Sequence, residues 1–217
     1  MNKEFHWERY LENLLREKTE REAAALWKHS GGGIPFDYRF EHVMAVVKHG
    51  KFLQRHEGGD LKVIVAACYL HDIGKSFFIK EGKNKHHGYK SAEMAKKILK
   101  DINDFSDSEI EHVAEAIRNH VGLFKDNKNR CLEGKILWDA DKLTKVGALS
   151  LAHSLAIAGA FGGIDTKGIV ERGLKWANLV PDIVKGFHTE TAKKIGKERA
   201  EILISFYKQL DNEFRLE

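Results

Sequence analysis

Along almost the whole chain, apolar residues recur at the three- and four-residue spacing of an α-helix. No alternating apolar–polar run long enough for a strand interrupts them, and only 2 prolines stand in 217 residues, so long stretches are free to be helical. The spacing predicts a first helix over about 3–29, ended by "SGGGIP", and a second through "DYRFEHVMAVVKHGKFLQRHEGG" that stops at Gly58-Gly59. A third, "LKVIVAACYLHDI", is apolar on every face; Asp60 is placed to cap its start and Gly74 to cap its end. "YKSAEMAKKILKDI" follows, then "SDSEIEHVAEAIRNHV", whose Ser106 and Glu109 have the spacing of a capping box. "CLEGKILWDADKLTKVGALSLAHSLA" reads as one long helix, and after the corner "GAFGGIDTKG" two more run over about 166–180 and 187–214. No repeat, low-complexity tract or linker divides the chain. The reading is all-α, with residues 1–217 as a single domain.

Composition narrows the function classes. Hydrophobic residues at 42% and charged residues at 31% are those of a soluble globular protein. A net charge of +4 suits a phosphorylated substrate and is too weak a signal for a nucleic-acid binder. Cys68 and Cys131 are too few and too far apart for a disulfide framework or a cysteine-based zinc site. The N-terminal stretch is amphipathic and charged throughout, unlike a signal peptide. "GALSLAHSLAIAGAFGG" is broken by His153, serines and glycines, and reads as a buried helix with a flexible corner rather than a membrane span. A cytoplasmic protein is expected, without membrane attachment, and its long amphipathic terminal helices could pair chains as a homodimer.

The chemistry is concentrated in histidines and aspartates. His71 and Asp72 end the apolar helix, and burial stabilises neither unless each has a partner. The helix end is negative and favours a cation. Neighbouring helical residues point about 100° apart, so both reach one ion only at the helix end, or Asp72 bridges two. The alternative is a capping histidine beside a solvated aspartate. His42, among Val43, Val46 and Val47, faces inward, either as a ligand or as a core histidine bonded to a carbonyl. Asp141 sits in an apolar helix where a carboxylate needs compensation, which a metal supplies. Asp139, two residues away, faces another side and could orient a ligand histidine. His86, His87 and His120 stand at helix ends, where side chains can converge on a shared cleft.

The order His42, His71-Asp72, Asp141 resembles the H…HD…D signature of the HD-domain superfamily of metal-dependent phosphohydrolases. The resemblance implies a helical bundle of the HD type, with a metal-site core over about 35–150 and C-terminal helices over about 166–214 packed on it. It carries over His42, His71, Asp72 and Asp141 as ligands of a divalent metal. "HDIGK" followed by "HxxxSA" from His87 to Ala92, then "AIRNH" and "WDADKL", is similar to HD proteins with two metals. That implies Asp72 as a bridge and His87 (or His86) and His120 as further ligands. The HD-GYP continuation is replaced by "SFFIKEGKNK", and the nucleotidyltransferase part of CCA-adding enzymes is absent. The chain therefore looks like a stand-alone HD hydrolase.

A mixed histidine and carboxylate set suits Mn, Fe, Ni or Zn, as one or two ions. The implied reaction is attack of a metal-activated water on a phosphoester or pyrophosphate bond in a small nucleotide-like substrate. Asp72 would orient the water, Lys75 would neutralise developing charge, and Lys142 and Lys145 would hold the substrate. Lys80, Lys83, Lys85 and Lys90 would form a basic rim. Two other readings share the scaffold: a nucleotide-binding sensor without turnover, and a di-iron oxygenase.

Overall fold

A helix apolar on all sides is stable only when other helices surround it, and this requirement organises the fold. The computed structural model describes residues 6–27, 35–75, 87–124, 131–161 and 164–215. These form, in chain order, α1 (His6–Leu26), α2 (Tyr38–Glu57), α3 (Leu61–Leu70), α4 (His87–Ile102), α5 (Asp107–Arg118), α6 (Leu132–Leu143), α7 (Ala148–Phe161), α8 (Thr166–Lys185) and α9 (Glu190–Phe214). The described residues contain no strand. Every residue of α3 from Val63 to Leu70 is buried, and α1, α2, α4, α5 and α6 all pack on it. Helices α8 and α9 pair as a hairpin that reaches the core through contacts of α9 with α2 and α6.

The helix starts follow local chemistry. The Asp60 carboxylate accepts from the backbone N–H groups of Lys62 and Val63 at the head of α3. Ser106 and Glu109 close a reciprocal capping box on α5. Such caps contribute about 1 kcal/mol each.

Three expectations are corrected. The stretch 131–156 is not one helix: α6 and α7 meet at 58° across residues 144–147. Gly147 adopts φ +83°, and a Cβ there would lie 2.7 Å from the Cβ of Arg199. Arg199 donates to the Leu143 carbonyl at 3.2 Å, satisfying an acceptor that the break leaves over. Gly74 is not a left-handed cap, since α3 ends at His71 with helical dihedrals. Its missing side chain serves close approach instead: a Cβ would stand 2.7 Å from the backbone nitrogen of Ser91 on α4. Finally, α8 runs through Pro181 to Lys185. An interior proline costs about 3 kcal/mol, and the complete burial of Val180 and Ile183 on either side offsets it.

No single helix among the described residues is long and apolar enough to cross a membrane.

Candidate metal centre

Five segments bring six of the expected side chains together. His42 comes from the second turn of α2, and His71 and Asp72 from the tight turn that ends α3. His87 opens α4, His120 follows α5, and Asp141 lies in the last turn of α6. His42, His71, Asp72, His120 and Asp141 are all buried. One donor atom from each of His42, His71 and Asp141 lies within 4.8 Å of the other two, and the same holds for His71, Asp72 and His120. The two oxygens of Asp72 face different neighbours. Oδ1 is 3.3 Å from His87 Nε2 and 3.6 Å from His120 Nε2, whereas Oδ2 is 3.7 Å from His71 Nε2. On the other side, Asp141 Oδ1 is 3.3 Å from His42 Nε2.

The imidazole tautomers follow from what each Nδ1 meets. His71 Nδ1 faces the Cys68 carbonyl at 2.8 Å, and His120 Nδ1 faces the Ile117 carbonyl at 2.6 Å. A carbonyl only accepts, so both Nδ1 atoms carry the proton. The Thr144 hydroxyl spends its hydrogen on the Asp141 carbonyl at 2.6 Å, which leaves its oxygen to accept from His42 Nδ1 at 3.2 Å. Lys145 Nζ is more distant from that nitrogen, at 3.5 Å. A neutral ring held in this tautomer turns its Nε2 lone pair toward the carboxylate oxygens.

Lone pairs opposed at 3.3–3.7 Å repel unless something positive lies between them. The buried Nε2 of His71 makes the point most sharply, for it has no hydrogen-bond partner among the described residues. An unpaired buried acceptor costs about 1–3 kcal/mol, and a cation satisfies it. The residues present fit a divalent metal.

Electrostatics agree. Burial lowers His42 to about 4, aided by the Lys145 charge, and lowers His71 to about 3, so both are neutral at physiological pH. Burial works to raise Asp72, but the Lys75 ammonium and the polar groups around the carboxylate outweigh it and hold the carboxyl well below its usual range. Asp141 likewise overcomes burial through the charges of Lys142 and Lys145. Two carboxylates thus stay ionised beside the neutral imidazoles of His42 and His71.

The lysines differ in what they reach. Lys75 Nζ lies 3.2 Å from Asp72 Oδ2 and is 39% exposed, so it can also meet a molecule in the cleft. Lys145 Nζ lies 3.8 Å from Asp141 Oδ1 and 3.4 Å from the Tyr38 hydroxyl. Lys142 is buried; its ammonium is bonded to Asp141 Oδ2 and, at 3.1 Å, to the His120 carbonyl. All three line a cleft of about 230 Å³ with Asp72, His87, His120, Asp141 and the segment 121–123. Lys90 is exposed on α4. His86, Lys80, Lys83 and Lys85 lie outside the described residues.

Asp139 has another role than orienting a histidine ligand. It is buried with Oδ1 accepting from the His188 N–H at 2.9 Å and Oδ2 from the N–H and hydroxyl of Thr189 at 2.8 and 2.7 Å. It anchors the start of α9 to α6. The residues that do hold the site were not singled out in the sequence. Thr144 fixes the His42 ring, and its position three residues after Asp141, in reach of that carbonyl, was the available signal. Ser91 accepts from the Gly74 N–H at 3.0 Å and pins the His71-Asp72 turn to α4. Arg39 pairs with Glu22 at 2.9 Å and donates to the Lys75 carbonyl at 2.6 Å, holding the far side of the same turn.

Known proteins share this architecture. A predicted HD superfamily hydrolase from an uncultured Thermotogales bacterium aligns at a TM-score of 0.64 and 24% identity, over 95% of this chain and 92% of that one. An HD-superfamily hydrolase from Bacillus thuringiensis aligns at 0.57 and 24%, over 94% and 100%. Bacillus subtilis YpgQ, in complex with ADP, aligns at 0.60 and 18%, over 95% and 96%. At these identities the likeness establishes the fold. No curated protein matches the sequence. The HD domain family model matches residues 39–145, the segment that carries the whole cluster from His42 to Asp141. The chain belongs to the HD-domain superfamily.

Proposed function

We propose that the protein is a metal-dependent phosphohydrolase that cleaves a phosphoester or pyrophosphate bond in a small nucleotide-like substrate. The observation that carries this reading is Asp72: one oxygen faces His87 and His120, the other faces His71, and the pair opens onto a lysine-lined cleft. His42, His71, Asp72 and Asp141 would hold one divalent ion, and His87 and His120, sharing Asp72, a second. A divalent cation held there supplies Lewis-acid polarisation of a phosphoryl oxygen and makes water a nucleophile near neutral pH.

The chain's own residues do the rest. Lys75 and Lys145 present ammonium groups to the cleft, where they neutralise negative charge on the phosphoryl oxygens. Asp72, kept ionised, accepts a hydrogen bond from the attacking water and aligns it. Lys142 holds Asp141 in place rather than reaching the substrate. The carbonyls of Cys68 and Ile117 and the Thr144 hydroxyl keep three imidazoles in the metal-binding tautomer. The cleft volume of about 230 Å³ accommodates a phosphate group with part of its organic moiety. That YpgQ, with the same fold, was obtained with ADP supports a nucleotide as the class to try first.

The test measures metal content after purification and turnover of bis(p-nitrophenyl) phosphate and of a nucleotide panel with Mn²⁺, for wild type and Asp72→Ala. Metal in the wild type and loss of turnover in the variant support the reading. Absence of any bound divalent ion, with equal rates in both proteins, overturns it. Tight nucleotide binding without turnover would favour a sensor instead, and iron-dependent oxygen consumption an oxygenase.

A further inference from the structure

At the opposite end of α6 from Asp141, three other metal-binding side chains meet. His112 projects from α5, Cys131 is the N-cap of α6, and Glu133 lies in the first turn of that helix. One donor atom from each lies within 4.8 Å of the other two. His112 Nε2 is 3.0 Å from Glu133 Oε2. The other carboxylate oxygen, Oε1, accepts from the Asp60 N–H at 3.0 Å, which fixes the side chain to the head of α3. Asp141 stands eight residues farther along α6, on the order of 12 Å at 1.5 Å per residue, so this group is separate from the cleft. The sequence reading excluded a zinc site built from cysteines. It could not foresee that folding carries a histidine and a glutamate to Cys131.

An ion pair between His112 and Glu133 accounts for two of the three side chains and leaves the thiol unexplained. Serine, threonine, aspartate and asparagine are the effective N-caps. Cys131 caps through sulfur, a weak acceptor, with Sγ 3.4 Å from the Gly134 nitrogen. It is half-buried, and His112, 35% exposed, opens the group to solvent. One thiolate, one imidazole and one carboxylate make the mixed donor set that zinc takes, and sulfur turns preference away from Mg²⁺ and Mn²⁺.

We propose that His112, Cys131 and Glu133 bind a zinc ion at the start of α6, tying together α5, α6 and, through Asp60, α3. Binding releases the Cys131 thiol proton to solvent, and the Nε2 proton of His112 leaves or moves to Nδ1, freeing that lone pair for the metal. Two anionic ligands balance the 2+ ion. The loaded site is then close to neutral, and the positive end of the α6 dipole does not oppose it. The proposal does not rest on the hydrolase reading.

Cobalt distinguishes the two sites, because only the one at Cys131 offers sulfur. Full-length metal-free protein is titrated with Co²⁺ under reducing conditions, and the near-ultraviolet thiolate-to-cobalt charge-transfer band is followed. The band is expected in wild type and in Asp72→Ala, to be abolished by Cys131→Ser, and to be displaced by one equivalent of Zn²⁺. Serine is the better N-cap, so Cys131→Ser retains the fold, which its thermal unfolding without metal confirms. Absence of the band in wild type, or its survival in Cys131→Ser, overturns the proposal. Failure of the cleft to bind metal would remove turnover and leave this band untouched.

Discussion

Replacing Lys142 by methionine tests the electrostatic logic of the metal centre. The lysine is only 3% exposed, and its ammonium is bonded to Asp141 Oδ2 and to the His120 carbonyl. Methionine keeps an unbranched stem of similar bulk and deletes the charge. Breaking a buried ion pair on one side costs about 3–5 kcal/mol, because the surviving charge is left uncompensated. Lys145 Nζ remains 3.8 Å from Asp141 Oδ1, which places Lys142→Met at the lower end, about 3 kcal/mol. An unfolding entropy of ~2.1 cal/mol/K per residue over 217 residues makes that a fall in Tm of about 6–7 °C in chelator. Saturating Mn²⁺ should then raise the Tm of the variant by more than that of wild type, since the ion supplies the positive charge that Asp141 has lost. The assay is differential scanning calorimetry of both proteins with EDTA and with Mn²⁺. A variant within about 2 °C of wild type in EDTA, or a metal-induced shift no larger than wild type's, refutes the placing of Asp141 at a cation site.

Two further outcomes are expected. His42, His49 and His71 are held at about 4, 4 and 3, each chiefly by burial, below the 6.5 of the unfolded chain. The folded protein therefore binds fewer protons than the unfolded one in this window, and stability present above pH 6.5 is lost as pH falls toward 4. Asp139, pushed up to about 6 by burial, works in the opposite sense, so a net loss of ~2–3 kcal/mol per pH unit remains. Metal-free protein whose Tm is flat from pH 6.5 to 4 would contradict this. Gly74→Ala should separate the His71-Asp72 turn from α4, because its Cβ meets the Ser91 backbone at 2.7 Å. About 1–3 kcal/mol of stability and at least half of the bound metal should go, as read by chemical denaturation and elemental analysis; wild-type metal content in this variant would show that the close approach is not needed.

Where the sequence was legible, local chemistry and geometry agreed. Asp60 caps α3, and Ser106 with Glu109 caps α5, because each motif needs only the residues beside it. His42, His71, Asp72, His87, His120 and Asp141 could be singled out as polar groups on apolar helices or at helix ends. Their meeting in one cleft came from resemblance, not from any spacing. The break after Leu143 was missed because no proline marks it. Gly147 turns there in a left-handed conformation, and the acceptor left over is met by Arg199, more than fifty residues farther along the chain. Asp139 was misread for the same reason, since its partners His188 and Thr189 start a helix that only the tertiary fold brings near. Gly74 could be recognised as special, but whether it turned the chain or let α4 approach depends on Ser91, which no local pattern reports.

The side chains of the candidate metal cluster are contributed by five stretches of chain, from residue 42 to residue 141, with His71 and Asp72 the only adjacent pair. A denatured chain offers no comparable cluster, since gathering these groups means closing several loops at once against chain entropy. An ion that needs all of them binds after α2, α3, α4, α5 and α6 have docked, and so cannot nucleate their assembly. Its effect falls on the return path: metal retained by the finished bundle slows unfolding while leaving the folding rate nearly unchanged. The cluster acts as a latch rather than a seed.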